Sequence, residues 1–139
     1  MTATSVIMSA LTLAATSGDL PVNGGVRLPE SLVGNPLVEE WDTPYQTPPF
    51  SEIELAHYEP AFDYAIAVNR AEVESIIKNP EAPTFENTIV AMERAGELLG
   101  RVTGVFYVLN NCDTNAEMEQ IANNITPKLT ELSNDVALN

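Results

Sequence analysis

From Ser51 onward, apolar residues recur at helical spacing. In "HYEPAFDYAIAVNRAEVESIIKN", Phe62, Ile66, Val73, Ile76 and Ile77 share one side, while Glu72, Glu74 and Lys78 fall outside it. Pro60 lies in the first turn or so of this predicted helix, where a missing N–H costs little. Asn79-Pro80, in "NPEAP", then stops the pattern. Thr84 is suited to cap the next helix, and Glu86 to its positive end. Phe85, Ile89, Met92, Gly96, Leu99, Val102, Phe106 and Leu109 follow at steps of three or four. That stripe predicts one continuous helix of about 37 Å at 1.5 Å per residue. Gly96, Gly100 and Gly104 recur on an adjoining face; each costs about 1 kcal/mol relative to alanine, which the close approach of another helix would offset. Thr114 with Glu117 predicts a capping box. The last helix carries Met118, Ile121, Ile125, Leu129, Leu132 and Val136 on one face, with Pro127 expected to kink or split it near Ile125-Thr126.

No strand alternation of useful length and no internal repeat is present. The fold class is therefore all-α, with about three long helices in an up-down-up arrangement. The pattern is still running at Asn139 without a C-cap glycine, so the chain reads as cut at that end. Three segments result: an apolar leader at 1–17, a Pro/Gly-rich linker and arm at 18–50, and a helical domain at 51–139. The leader has a signal-like apolar core, Val6 to Ala15, and a poor small-residue cleavage site at Leu13-Ala14-Ala15, but no basic start. Export to a periplasm is slightly favoured on this ground, with the cytoplasm as the alternative. The run is too short and too rich in Ser and Thr for a membrane span. In the arm, "NPLVEEWDTPYQTPPF" should be extended, because each proline drives its predecessor out of the α region. Leu37, Trp41, Tyr45 and Phe50 are spaced too irregularly for a helix and are expected to pin the arm across another surface.

Composition narrows the partners. The 139 residues suffice for one domain with a modest core, and 45% apolar residues argue against a purely disordered chain. Twenty acids against six bases give a net charge of −14, with a pI near 4.1. Such a chain should repel nucleic acid and anionic membrane, since phosphate binding needs clustered Lys and Arg. A solvated surface is the simplest use of the acids. The single cysteine, Cys112, permits no internal disulfide and lacks a basic neighbour to activate it.

Candidate chemistry is scarce. The one histidine, His57, sits at the predicted start of the first helix, with no second His or Cys to share a metal. Neither H-E-x-x-H, G-x-S-x-G nor a phosphate-binding glycine motif occurs. Glu72 with Glu74, and Glu117 with Glu119, diverge on a helix, whereas Glu93 and Glu97 share a face that solvation explains. "NNCDTNAEMEQ" lacks the central glycine of an EF-hand. The residues thus name no catalytic, cofactor-binding or metal-binding position.

Three stretches carry a resemblance: "NPL…WDTPYQTPPFSEIELAHYEPAFDYAI", "NPEAPTFENTIVAMERAGELLGRV" and "ITPKL…LN". Together, from about Asn35 to Asn139, they resemble the N-terminal region of bacterial thimet-oligopeptidase-like zinc metallopeptidases, in the peptidyl-dipeptidase and oligopeptidase A branch. The resemblance implies a larger two-lobed helical enzyme, monomeric when full length, that hydrolyses short peptides with zinc held by H-E-x-x-H and a downstream glutamate. Those groups belong to the C-terminal part of such chains and map onto no position here. The resemblance makes this segment an inactive scaffold that binds no zinc, part of a substrate-channel wall whose partner is the missing catalytic region. It also leaves exopeptidase and endopeptidase preference open. An isolated fragment of this kind should be sticky or partly molten. The alternative is a stand-alone acidic helical binding module; a hydrolase built on His57 is a third and weaker reading.

Overall fold

Helix α1 (Leu55–Ile77) is the element against which the rest of the protein packs. The computed structural model describes residues 22–138; the leader assigned to 1–17 lies outside the described residues. Tyr58, Ala61, Phe62, Tyr64, Ala65, Ile66, Val68 and Val73 of α1 are buried, a face wide enough to receive neighbours on two sides. Its start is a reciprocal cap. The Glu54 side chain accepts from the backbone of His57, and the Glu54 N–H donates to His57 Nδ1 at 3.0 Å. Pro60 lies deeper than the first turn, inside the helix. It is nonetheless exposed, as is Ala56 one turn earlier, so the carbonyl lacking a partner can be met by water. The far end behaves otherwise than its period predicts: Ile77 is 52% exposed.

The predicted single helix over 85–109 is two helices. Thr84 caps as expected, its side chain accepting from Asn87 N at 3.0 Å. A wide π-type turn over Phe85–Val90 leads into the short helix α2 (Ala91–Arg94). Ala95 is then extended and Gly96 left-handed, with φ of +85°. Gly96 thus ends α2 as a C′ glycine and begins helix α3 (Glu97–Cys112). Two contacts hold the break: Gly96 N donates to Glu72 Oε2 at 2.8 Å, and a Cβ at Gly96 would lie 2.6 Å from Asn69 Nδ2. Glu72 is therefore a structural acceptor, not the free outer residue its helical position suggested. A methyl group at Gly100 or Gly104 would have nothing within 4 Å, so no helix approaches either glycine closely.

Helix α4 (Ala116–Ala137) buries Met118, Ile121, Ile125 and Leu132. Its cap is Asn115, which accepts from Met118 N at 2.9 Å, whereas Thr114 donates back to Asn110 Oδ1 on α3. The expected split at Pro127 does not occur; the helix runs unbroken. Pro127 and Asn123 are both exposed, leaving the orphaned carbonyl to solvent. Ion pairs from Arg70 to Asp135 (2.9 Å) and from Lys128 to Asp63 join α1 to α4.

The arm is more structured than its prolines suggest. Strands β1 (Val22–Asn23) and β2 (Val26–Arg27) form an antiparallel hairpin, Val22 opposite Arg27, turned by Gly24 and Gly25 at positive φ. Beyond it, Leu28, Leu32, Leu37 and Val38 are buried in the common core with α1, α3 and α4. Asn35, itself buried, ties the arm to α1 by donating to the His57 carbonyl at 3.0 Å. Of the four expected pins, Leu37 is fully buried and Trp41 half-buried, but Tyr45 is 99% and Phe50 48% exposed. The surface under the arm therefore belongs to this chain's own helices. Phe106 stands at the centre of the core, meeting Tyr58, Phe62 and Tyr107 edge to face at 5.1–5.6 Å.

Candidate functional site

The side chains first considered for chemistry are dispersed and structurally engaged. His57 faces its own helix start, and Cys112 is exposed at the end of α3. Glu93 and Glu97 fall on opposite sides of the Gly96 break, so no common helix face holds them. Glu117 and Glu119 lie exposed in the first turn of α4. Among the described residues, no three His, Cys, Asp or Glu side chains converge on a point where a metal could sit. No described helix is long and apolar enough to cross a membrane.

A polar concavity lies elsewhere, between the hairpin, α1 and the α2–α3 junction. It is a cavity of about 260 Å³ lined by Asn23, Gly24, Glu40, Glu72, Arg94, Glu97 and Arg101, with Val38, Val68 and Leu98. The arm brings Glu40, α2 brings Arg94, and α3 brings Glu97 and Arg101. Arg101 stacks on Trp41, its guanidinium carbon 5.0 Å from the ring centroid. Its Nη2 reaches the Leu37 carbonyl at a long 3.4 Å, and its Nε is buried with no acceptor. Leaving a buried donor unmet costs about 1–3 kcal/mol. Burial lowers the Arg101 pKa, opposed by the nearby carboxylates Glu97 and Glu40; a guanidinium stays charged regardless. The Arg94 side chain makes no hydrogen bond or ion pair with any described residue. Sequence reasoning passed over this cavity. The one available signal was that Arg94 and Arg101, seven apart, would share a face of an unbroken helix.

A second concavity, of about 370 Å³, is apolar. Val73, Ile76, Ile77, Pro83, Met92 and Val136 line it where α1, the π-type turn and α4 meet. In the π-type turn that contributes to it, Phe85 is 71% and Ile89 50% exposed.

No protein-family model matches the chain. It is 43% identical over 105 residues to the dipeptidyl carboxypeptidases of Salmonella typhimurium and Escherichia coli, covering 76% of this chain and 15% of each relative. It is 31% identical over 99 residues to oligopeptidase A of Salmonella typhimurium, covering 71% of this chain and 14% of that protein. The chain thus spans about one seventh of the length of the curated relatives it matches.

Proposed function

We propose that this chain, a homologue of the dipeptidyl carboxypeptidases and oligopeptidases A of the thimet-oligopeptidase-like branch, is a non-catalytic N-terminal part of a peptidase that cleaves short peptides. In this reading the parent is zinc-dependent, the chain builds part of the wall of the substrate channel, and hydrolysis is carried by residues outside the sequence in hand. The observation that carries the reading is the match itself: 43% identity over 105 residues that make up only 15% of the relative. The zinc implied by the resemblance has no fitting donor set among the described residues, where no metal-binding cluster forms and His57 Nδ1 is engaged at the α1 cap. We assign no hydrolytic step to any residue of this chain. Ile77, Phe85, Ile89 and Met92 are 39–71% exposed, an apolar face suited to packing against further protein.

Sequencing the gene past the codon for Asn139 tests the proposal. The expected result is an open frame of several hundred further codons containing H-E-x-x-H. A verified stop codon there would overturn it and favour a free-standing acidic binding module. Peptide turnover or stoichiometric zinc in the 139-residue chain alone would also count against the proposal.

A further inference from the structure

In a chain carrying 20 acids and six bases, cations have carboxylates to hand. Arg70 takes Glu131 and Asp135, Lys78 takes Glu74, and Lys128 takes Asp63. Arg94 and Arg101 do not follow this rule, although both line the same cavity as three glutamates. The Arg94 guanidinium has no polar partner among the described residues, and that of Arg101 has one long contact and a buried Nε without an acceptor. Of the three glutamates, Glu72 is committed to Gly96 N at 2.8 Å. Glu40 and Glu97 lie near enough to act on the Arg101 charge, yet neither forms an ion pair with it. Two guanidiniums and two uncommitted carboxylates therefore border one space.

We propose that this cavity is a binding site for a small zwitterion of dipeptide size, its carboxylate received by Arg94 and Arg101 and its ammonium by Glu40 and Glu97. Guanidinium forks match carboxylates in geometry and charge. A simple anion would also meet the two glutamates, and a simple cation the two arginines, so a ligand bearing both charges matches the lining better than either. At about 260 Å³ the space is below the roughly 300–1,000 Å³ that holds drug-sized ligands. It equals about eight or nine waters at roughly 30 Å³ each, the scale of a dipeptide. The inference uses only the cavity and its charges and holds whether or not the parent protein hydrolyses peptides.

The test is a titration of the 139-residue chain, followed by backbone amide and arginine Nε–H resonances. The ligands are alanylalanine, its N-acetyl form, its C-terminal amide, and alanine. Alanylalanine should give saturable shifts confined to Gly24, Glu40 and residues 94–101, with each blocked form about tenfold weaker or more. Arg94→Gln, at an exposed position outside the core, should weaken binding by about tenfold while leaving the melting temperature unchanged. Glu97→Gln should also weaken binding by about tenfold. Absence of saturable shifts with alanylalanine, equal binding of the blocked forms, tighter binding of alanine, or undiminished affinity in Arg94→Gln would each overturn the proposal.

Discussion

His57 is the only imidazole in the chain, and the fold uses it as a helix cap. Its Nδ1 satisfies the Glu54 N–H, one of the donors that a helix start leaves without an internal partner. His57→Ala should therefore lower stability by about 0.5–2 kcal/mol, read as a reduced urea midpoint with an unchanged slope. An unaltered midpoint would mean that the cap contributes nothing. Tyr58, the next residue, is buried against Phe106, and burial raises its pKa above the usual value near 10. The folded state then holds that phenolic proton at pH values where the unfolded chain has lost it. Stability should be indifferent to this group below about pH 10 and fall as pH rises beyond it. Tyr58→Phe should remove that part of the alkaline loss; an identical alkaline profile in the variant would refute the assignment. At this scale the start of α1 and the Thr84 cap were legible, because capping joins residues only three apart. The choice of Asn115 over Thr114 was not. Both residue types cap well, and the decision depends on Thr114 being drawn back to Asn110 at the end of α3.

The element scale holds the largest departure from the sequence pattern. A stripe from Phe85 to Leu109 keeps helical period throughout, yet the chain turns sharply at Ala95 and Gly96. Periodicity reports which residues share a side; it carries no information on whether a single left-handed residue interrupts the rod. The consequence is visible in burial. Val102, Val105 and Phe106 beyond the break enter the core, while Phe85 and Ile89 before it face outward. Gly96→Ala should destabilise, since a left-handed alanine costs about 1–2 kcal/mol and its Cβ would press on Asn69 Nδ2. Gly100→Ala, one turn on in open space, should instead stabilise by about 0.5–1 kcal/mol. Thermal melts of the two variants shifting in the same direction would contradict the assignment of the break. Pro127→Ala should also stabilise α4, because it restores a backbone hydrogen bond in an interior where proline costs up to about 3 kcal/mol. A lowered melting temperature in that variant would show that the proline has a packing role.

Across the whole molecule, a small core is built from three helices and an arm, with an apolar face left over. The arm's Leu28, Leu32 and Leu37 help fill the space that α1, α3 and α4 enclose. Ile77 and Met92 line the apolar groove, and Phe85 and Ile89 are exposed in the π-type turn that contributes to it. Faces of this kind bind hydrophobic dyes and promote association. The double variant Phe85→Ser/Ile89→Ser should reduce dye fluorescence and light scattering, while stability changes by no more than about 0.5 kcal/mol per site. A collapse of the fold in that variant would mean that the face is packed in solution.

The sequence by itself determined the helical class, the place of α1, the apolar face of α4, the acidic surface, and the want of any catalytic motif. These follow from spacings of three or four residues and from residue types, both of which operate along the chain. Tertiary structure decided the rest. It seated the arm on this chain's own helices through contacts such as Arg101 to Leu37, 64 positions apart. It released Tyr45 to solvent and exposed the leading half of the α2–α3 stripe. It also gathered Glu40, Arg94, Glu97 and Arg101 around one cavity from three separate elements. The reason is physical: burial and charge pairing depend on which surfaces meet across the fold, and local period and propensity do not encode that meeting.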